Sequence, residues 1–384
     1  MAENSTRSGR ALGMQLAKLA APIVFSNLAY TLLGVLDTLF LGRVSTTAVG
    51  SSGIASTLFL AFSLLFRGTI QGAMPYVARM FGSNKREAAG KYLQHFAVLS
   101  LMVCPIIIFL PWAVRGYFWV LKPPAEVAAY ASTYINIRFL ELPFSLLNSA
   151  IGSFLIGIGN SRTPMWMAWL SVGVNSVANY ILIFGKLGLP AMGIAGAAWG
   201  TVIAVAAQLV FGIAVVVRHY WLEYDLGSWS LPTKEEIFSM LRVGLPLGIT
   251  DAVELAAFSV FFTLISRLGT VELAASQIAN QITAIAFMPG FAFGQATGSL
   301  VGRYLGSKDP EVAQKVGYYG AAMGMTMSAA ISIFLTKVAN ERRIPFEVSV
   351  DPFYSDEHIA MLEKRIAEME AGKNVHEHDI IEAD

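Results

Sequence analysis

The stretch KLAAPIVFSNLAYTLLGVLDTLFLGRV, residues 18–44, decides the fold of this chain. Between Leu19 and Leu41 its only charged residue is Asp37. An apolar run of this length suits a transmembrane helix, which needs roughly 20 residues. An acid inside such a helix is costly, so Asp37 should face a cavity, a cation or a proton path.

The whole chain has the composition of an integral membrane protein. Of its 384 residues, 55% are hydrophobic and only 14% are charged, whereas about 25% are charged in ordinary globular domains; mean hydropathy is +0.57. Eight apolar stretches have the length of a span and lack strand-like alternation, which predicts an all-α membrane protein. They are residues 19–42, 48–66, 92–114, 142–158, 165–185, 191–217, 243–266 and 273–302.

Lysine and arginine collect on one side of the predicted membrane. The side that holds the N-terminus also holds Lys85, Arg86 and Lys91, whereas the other side has fewer such residues, among them Arg43 and Arg115. Cytoplasmic loops carry an excess of Lys and Arg. The sequence therefore predicts a multi-pass protein of the plasma (inner) membrane with a cytoplasmic N-terminus.

The chain repeats itself at a constant offset of 224 residues. Pro22 pairs with Pro246, and GSNKRE (82–87) aligns with GSKDPE (306–311). Six predicted helices precede the second copy, so the two copies should run parallel. Parallel repeats are a transporter architecture in which the substrate binds between the halves. A complete second copy would need more membrane-type sequence than follows here, which predicts a truncated second lobe.

These features divide the chain into four predicted parts. Residues 1–217 form a six-helix N-lobe, 218–236 a cytoplasmic linker, 237–322 a partial C-lobe, and 323–384 a short soluble helical tail. The uncharged segment 316–335 leaves two alternatives open. It is either a ninth membrane span or a soluble helix that packs against a partner.

Polar side chains recur at helical spacing inside the predicted spans. They are Asn27, Tyr30 and Asp37 in the first; Ser171, Asn175 and Asn179 in the fifth; Thr201 in the sixth; Asp251 and Glu254 in the seventh; and Gln277, Asn280 and Gln281 in the eighth. The amides and hydroxyls suit either a cavity lining or hydrogen bonds between helices. The acids Asp37 and Glu254 favour a functional role, whereas Asp251, expected nearer a helix end, could also be solvated.

Other chemistries lack their motifs. The sequence has no phosphate-binding P-loop and no Ser/His/Asp set, so it predicts neither an enzyme nor an ATP-driven pump. His376 and His378 in NVHEHD have neither helical spacing nor partner ligands for a metal site. The net charge of +1 argues against a nucleic-acid partner.

Several motifs together resemble the multidrug and toxic-compound extrusion (MATE) transporters, most closely their DinF-like subgroup. They are residues 18–44, GIGNSRTPM (157–165), NSVANYILIFG (175–185) and MGIAGAAWGTVIA (192–204). The resemblance covers about residues 12–322. It implies two six-helix lobes that export amphipathic, often cationic compounds in exchange for H⁺ or Na⁺, with no other cofactor. A lipid or polysaccharide-precursor flippase with the same fold is an alternative.

The resemblance also implies roles for single residues. The N-lobe site for the coupling cation or proton falls on Asp37, Asn175, Asn179 and Thr201, although family members usually carry a second carboxylate where this chain has Asn179. The acid of the C-lobe falls on Glu254. Its partner on a tenth helix has no counterpart here.

The tail resembles an unrelated family. MGMTMSAAISIFLTKVANERRIPFEVSVDPFY (323–354) is similar to the second helix and following segment of RelB/DinJ-type antitoxins, which bind a small toxin. The strand with which such proteins read DNA is missing, so no DNA binding is implied. The resemblance implies a chimeric chain with a toxin partner for residues 340–384. A membrane-anchored toxin-binding protein is therefore an alternative from a different functional class.

Overall fold

A computed structural model describes residues 9–121, 125–266 and 270–324, and their side chains except at 46, 120–121, 254, 256, 258–287 and 324. These residues form helices and connections, with no strand among them. The helices are α1 (Gly9–Gly42), α2 (Thr46–Gln71), α3 (Ala73–Gly82), α4 (Arg86–Val103), α5 (Leu110–Leu121), α6 (Ala125–Phe139), α7 (Leu142–Gly157), α8 (Arg162–Phe184), α9 (Gly193–Tyr220), α10 (Lys234–Ser266), α11 (Thr270–Gly306) and α12 (Pro310–Gly324), and a 3₁₀-helix, Cys104–Phe109, joins α4 to α5.

Several of these helices can cross a membrane, which confirms the predicted fold class. Among the described residues, five helical runs are long and apolar enough, and a sixth if α6 and α7 form one span bent by 46°. The five runs are Gly9–Gly42, Thr47–Gly82, Arg86–Trp119, Arg162–Phe184 and Gly193–Tyr220. The predicted seventh and eighth spans fall within α10 and α11.

The fourth span begins earlier than the sequence predicts. The expected boundary was residue 142, but α6 precedes α7 across a two-residue turn at Leu140 and Glu141. Pro143 lies in the first turn of α7, where a proline costs no helical hydrogen bond because the N–H groups there have no partner within the helix. The connection between α6 and α7 therefore ends at this proline. The charged residues Glu126 and Arg138 made α6 a poor match to an apolar span.

The C-terminal predictions reach beyond the described part of the chain. α12 contains the first residues of the segment 316–335, and the remainder of that segment lies outside the described residues. The predicted antitoxin-like tail, 323–384, lies almost wholly outside them as well. Both alternatives for 316–335 therefore stay open.

Close helix contact in the N-lobe depends on glycines of α9. A Cβ atom on Gly196 would meet the backbone of Leu182 in α8, and one on Gly200 would meet the side chain of Asn179. Small residues let membrane helices approach closely. α1 packs against the same α8, so three helices converge at the level of Asn179.

The second helix of the first copy packs on the first helix of the second copy. Gly68 and Gly72 of α2 face Gly244 and Gly248 of α10, and a Cβ atom on any of the four would collide with the opposite backbone. Each pair is spaced by four residues, which places both members on one face of their helix. The two helices therefore meet through matched small-residue faces.

The first helix of the first copy makes the reciprocal contact. α1 packs on α11 in a buried cluster that includes Ala20, Ala292 and Ala296. Ala292 and Ala296 lie 224 residues after Gly68 and Gly72, the offset of the sequence repeat. The α1–α11 and α2–α10 contacts are therefore related by the repeat, as expected for two parallel copies.

Gly68→Ala is expected to destabilise the protein by about 1–3 kcal/mol, because the added Cβ atom overpacks the contact with Gly248. Gly53→Ala in the same helix is the matched control, since a Cβ atom there has nothing within 4 Å. Unfolding of both variants in mixed micelles, followed by circular dichroism, gives the comparison. Equal free energies of unfolding would show that the glycine contact does not hold α2 against α10.

Candidate functional site

α1, α8 and α9 bring polar side chains together around Asp37. This residue is only 7% exposed. Nδ2 of Asn179 donates a hydrogen bond to Oδ1 of Asp37 at 2.5 Å, and Oγ1 of Thr201 donates to Oδ2 at 3.4 Å. Both carboxylate oxygens therefore have a donor, one from each neighbouring helix.

The neighbours of Asp37 are also bonded to each other. Nδ2 of Asn179 donates to Oδ1 of Asn175 at 3.1 Å, and Nδ2 of Asn175 donates to Oγ1 of Thr201 at 3.3 Å. Oγ1 of Thr201 also lies 3.1 Å from the carbonyl oxygen of Ala197, one turn earlier in α9. The four residues that the family resemblance singled out in the N-lobe thus form one buried network.

One acceptor in this network has no donor. Oδ1 of Asn179 is buried and receives no hydrogen bond from the described residues. It lies against Gly200, whose missing side chain leaves room for it. A buried acceptor without a donor is unfavourable. The site therefore offers a carboxylate, an unbonded amide oxygen and a hydroxyl, which are oxygen ligands for a proton or a hard cation.

The predicted polar stripe of α1 is only partly buried. Asn27 is half-buried, and Tyr30 is 42% exposed. The Tyr30 hydroxyl accepts a hydrogen bond from Nε2 of Gln208 at 2.9 Å. Gln208 was missed in the sequence, although it lies two turns beyond Thr201 and therefore on the same face of α9.

Asp251 lies in the middle of α10, which corrects the expectation of a helix end. The helix starts at Lys234, where Thr233 and Glu236 cap each other: the amide of Thr233 donates to Oε2 of Glu236 at 2.7 Å, and the amide of Glu236 donates to Oγ1 of Thr233 at 3.2 Å. These bonds hold the pKa of Glu236 below its ordinary value. Oδ2 of Asp251 lies close to Gly68 of α2.

The side chains of Glu254, Gln277, Asn280 and Gln281 lie outside the described part of the structure.

A buried ion pair in the bent fourth span was not predicted. Nε of Arg138 lies 2.6 Å from Oε2 of Glu141, and the two side chains are 12% and 8% exposed. Nη1 of Arg138 donates to the Tyr134 hydroxyl at 3.1 Å, and the guanidinium covers the Phe59 ring at 4.5 Å. Arg138 also interacts electrostatically with Asp37. The pair was not predicted because the charged residues of α6 kept this helix out of the predicted spans.

Within the described residues, no group of three or more His, Cys, Asp or Glu side chains could hold a metal ion. His376 and His378 lie outside those residues.

Two family models match the chain. The model described as MatE matches residues 22–181 and 246–341, and the model described as RelB antitoxin matches residues 317–383. The probable multidrug resistance protein NorM of Brucella suis biovar 1 is 28% identical over 341 residues, which cover 86% of this chain and 71% of that protein. The multidrug resistance protein NorM of Aliivibrio fischeri is 28% identical over 339 residues, 86% and 72% of the two chains.

Solved structures share the fold. One is a multidrug resistance MATE family transporter of the MOP superfamily in its outward-facing conformation. It superposes with a TM-score of 0.73 at 21% identity, and the match covers 96% of this chain and 79% of that transporter. A MATE in the straight conformation gives a TM-score of 0.74 at 22% identity, with 88% and 76% covered.

Proposed function

The chain belongs to the MATE family of transporters, and from this membership we propose that it is an ion-coupled antiporter that exports amphipathic or cationic drugs. The relatives named multidrug resistance protein NorM support the cargo class. The DinF-like subgroup stays a prediction. The excess of Lys and Arg on one side supports an N-terminus in the cytoplasm.

The observation that carries this proposal is the buried network around Asp37. The carboxyl group of Asp37 accepts hydrogen bonds from Asn179 and Thr201 and donates none to them, as an ionised carboxylate does. When a proton binds to Oδ2, the Thr201 hydroxyl can turn to accept it and donate instead to the Ala197 carbonyl oxygen. A hydroxyl both donates and accepts. The network can therefore take up and release a proton without repacking its helices.

Coupling needs the ion to bind two conformations with different affinity. In this conformation Asp37 is enclosed by α8 and α9. Among the described residues it belongs to no ion pair, although Arg138 interacts with it electrostatically. A second conformation that admits water to Asp37 would hydrate the carboxylate and release the proton. Drug binding between the lobes would favour that second conformation.

We propose H⁺ rather than Na⁺ as the coupling ion. Asn179 stands where family members usually carry a second carboxylate, so Asp37 is the only acid in the network. A proton neutralises a single buried carboxylate completely, whereas Na⁺ also needs several well-placed oxygen ligands. In proteoliposomes, an imposed pH gradient should drive drug efflux and an imposed Na⁺ gradient at equal pH should not.

Thr201→Val is expected to weaken proton-coupled efflux by about tenfold to a hundredfold, because it removes one buried hydrogen bond to a charged group. Thr201→Ser keeps the hydroxyl and is the matched control, expected near the wild-type rate. The rate of drug-dependent proton movement, measured with a pH-sensitive dye at several pH values, separates the two. If the valine and serine variants behave alike, the hydroxyl has no part in coupling.

A second candidate function rests on the RelB match to residues 317–383. We propose that this tail binds a small toxin of the kind that RelB antitoxins neutralise. Co-expression of the full chain with such toxins should rescue growth, and a variant ending at residue 322 should not. Absence of rescue by the full chain at matched expression would refute this proposal while leaving the transporter proposal standing.

A further inference from the structure

A cavity of about 780 Å³ lies between the two repeat copies, far from Asp37. Its walls come from α1, α3, α8, α9 and the 158–161 connection of the first copy, and from α11 of the second. Lys18 lines it, and the rise of α1 places Lys18 roughly 28 Å from Asp37 along the helix. The cavity is therefore separate from the buried network.

The cavity wall carries positive charge without a counter-charge. Lys18, Arg162 and Arg303 line it, and no carboxylate does. Within the described part of the chain, none of these three cations belongs to an ion pair. The other polar side chains on its wall are amides and hydroxyls, which can donate hydrogen bonds.

Arg303 is fixed at this wall by the opposite lobe. Its Nε donates to the carbonyl oxygen of Gly157 at 3.1 Å and its Nη2 to that of Ile156 at 3.4 Å. The guanidinium also lies over the Phe81 ring at 4.9 Å. Gly159, at φ +88°, leaves the space that the guanidinium occupies. These two bonds use two of five N–H groups, so others remain for a ligand.

We propose that this cavity binds the phosphate group of an anionic ligand and thereby holds the two lobes in the arrangement described here. Arginine recognises phosphate through paired N–H donors, and lysine adds a point charge. Lys18 and Arg162 belong to the first copy and Arg303 to the second, so one phosphate bridges both. A ligand that binds one conformation better shifts the equilibrium toward it.

Two sources could supply the phosphate. Basic pockets between membrane helices on the cytoplasmic side bind anionic lipid headgroups, and the orientation proposed above places the cavity on that side. A soluble phosphate compound has the same chemistry. The site goes beyond the proposed transport function, and its occupancy can be measured without transport.

The test titrates the purified full chain in detergent with phosphatidylglycerol, phosphatidylcholine or inorganic phosphate, and follows the thermal unfolding midpoint. Lys18→Gln/Arg162→Gln removes two exposed cations of the wall and leaves the bonds of Arg303 intact. Lys85→Gln/Lys234→Gln removes two exposed cations elsewhere and is the matched control. The cavity variant is expected to bind about thirtyfold more weakly, because each of the two lost cations contributes roughly fivefold.

Stabilisation by phosphatidylglycerol alone, lost in the cavity variant and kept in the control, identifies a lipid headgroup as the ligand. Stabilisation by inorganic phosphate with the same dependence identifies a soluble anion. An equal response of both variants and the wild type, or no response to either anion, overturns the proposal. Asp37→Asn should bind the anion normally, so a failure of the transport proposal would not imitate a failure of this one.

Discussion

Asp37→Asn is expected to abolish proton-coupled drug efflux while the protein stays folded. The amide has the shape of the carboxyl group but cannot take up or release a proton at physiological pH, so the network around Asn179 and Thr201 loses its titratable group. Resistance to cationic drugs in a pump-deficient bacterium and drug-driven proton release in proteoliposomes both measure the loss.

Asp225→Asn is the matched control for this substitution. Asp225 is exposed in the loop after α9 with φ +46°, a backbone conformation that asparagine also adopts readily. Its variant should transport at the wild-type rate. Unchanged coupling in Asp37→Asn would remove Asp37 from the mechanism and leave the family membership intact.

Glu141→Gln is expected to destabilise the protein by about 3–5 kcal/mol, because it leaves Arg138 buried without its partner charge. Replacing both residues with leucine should recover much of this loss, since a buried pair is often replaceable by apolar side chains. The free energy of unfolding in mixed micelles is the measurement.

The exposed pair of Arg86 and Glu223 supplies the comparison. Glu223→Gln should change the free energy of unfolding by no more than about 1 kcal/mol, because solvent screens exposed charges. Similar losses for Glu141→Gln and Glu223→Gln would contradict the idea that burial makes the Arg138 pair important.

The helices and the single polar residues inside them were predictable because each leaves a local signal in the sequence, whereas it was the family resemblance that grouped Asp37, Asn175, Asn179 and Thr201 into one site. An acid in an apolar run is conspicuous, and Asn175 and Asn179 are spaced by one turn on the same face. Gln208 and the pair of Arg138 and Glu141 were missed for a different reason. Their partners lie far away in sequence or across a helix break, so only the packing of the helices reveals them.

Helix boundaries were the other weak point. Hydropathy places the start of a span where the apolar run begins, but α10 starts at Lys234, where two polar side chains cap the helix before the membrane is reached. The same error put Asp251 near an end. Whether an acid lies near the end or in the middle of a helix can therefore be judged only when the polar capping residues outside the apolar run are included.

The first helix of each copy packs on the second helix of the other, so α1 cannot complete its contacts until α11 has been synthesised. Ala20 leaves the ribosome long before Ala292, with which it shares a buried cluster. At about 5–20 residues per second, α1 waits roughly 15–60 seconds for α11. Through that interval the face of α1 that packs on α11 can contact only lipid or an insertion factor, so we expect the newborn chain to be most exposed to quality-control proteases before α11 emerges.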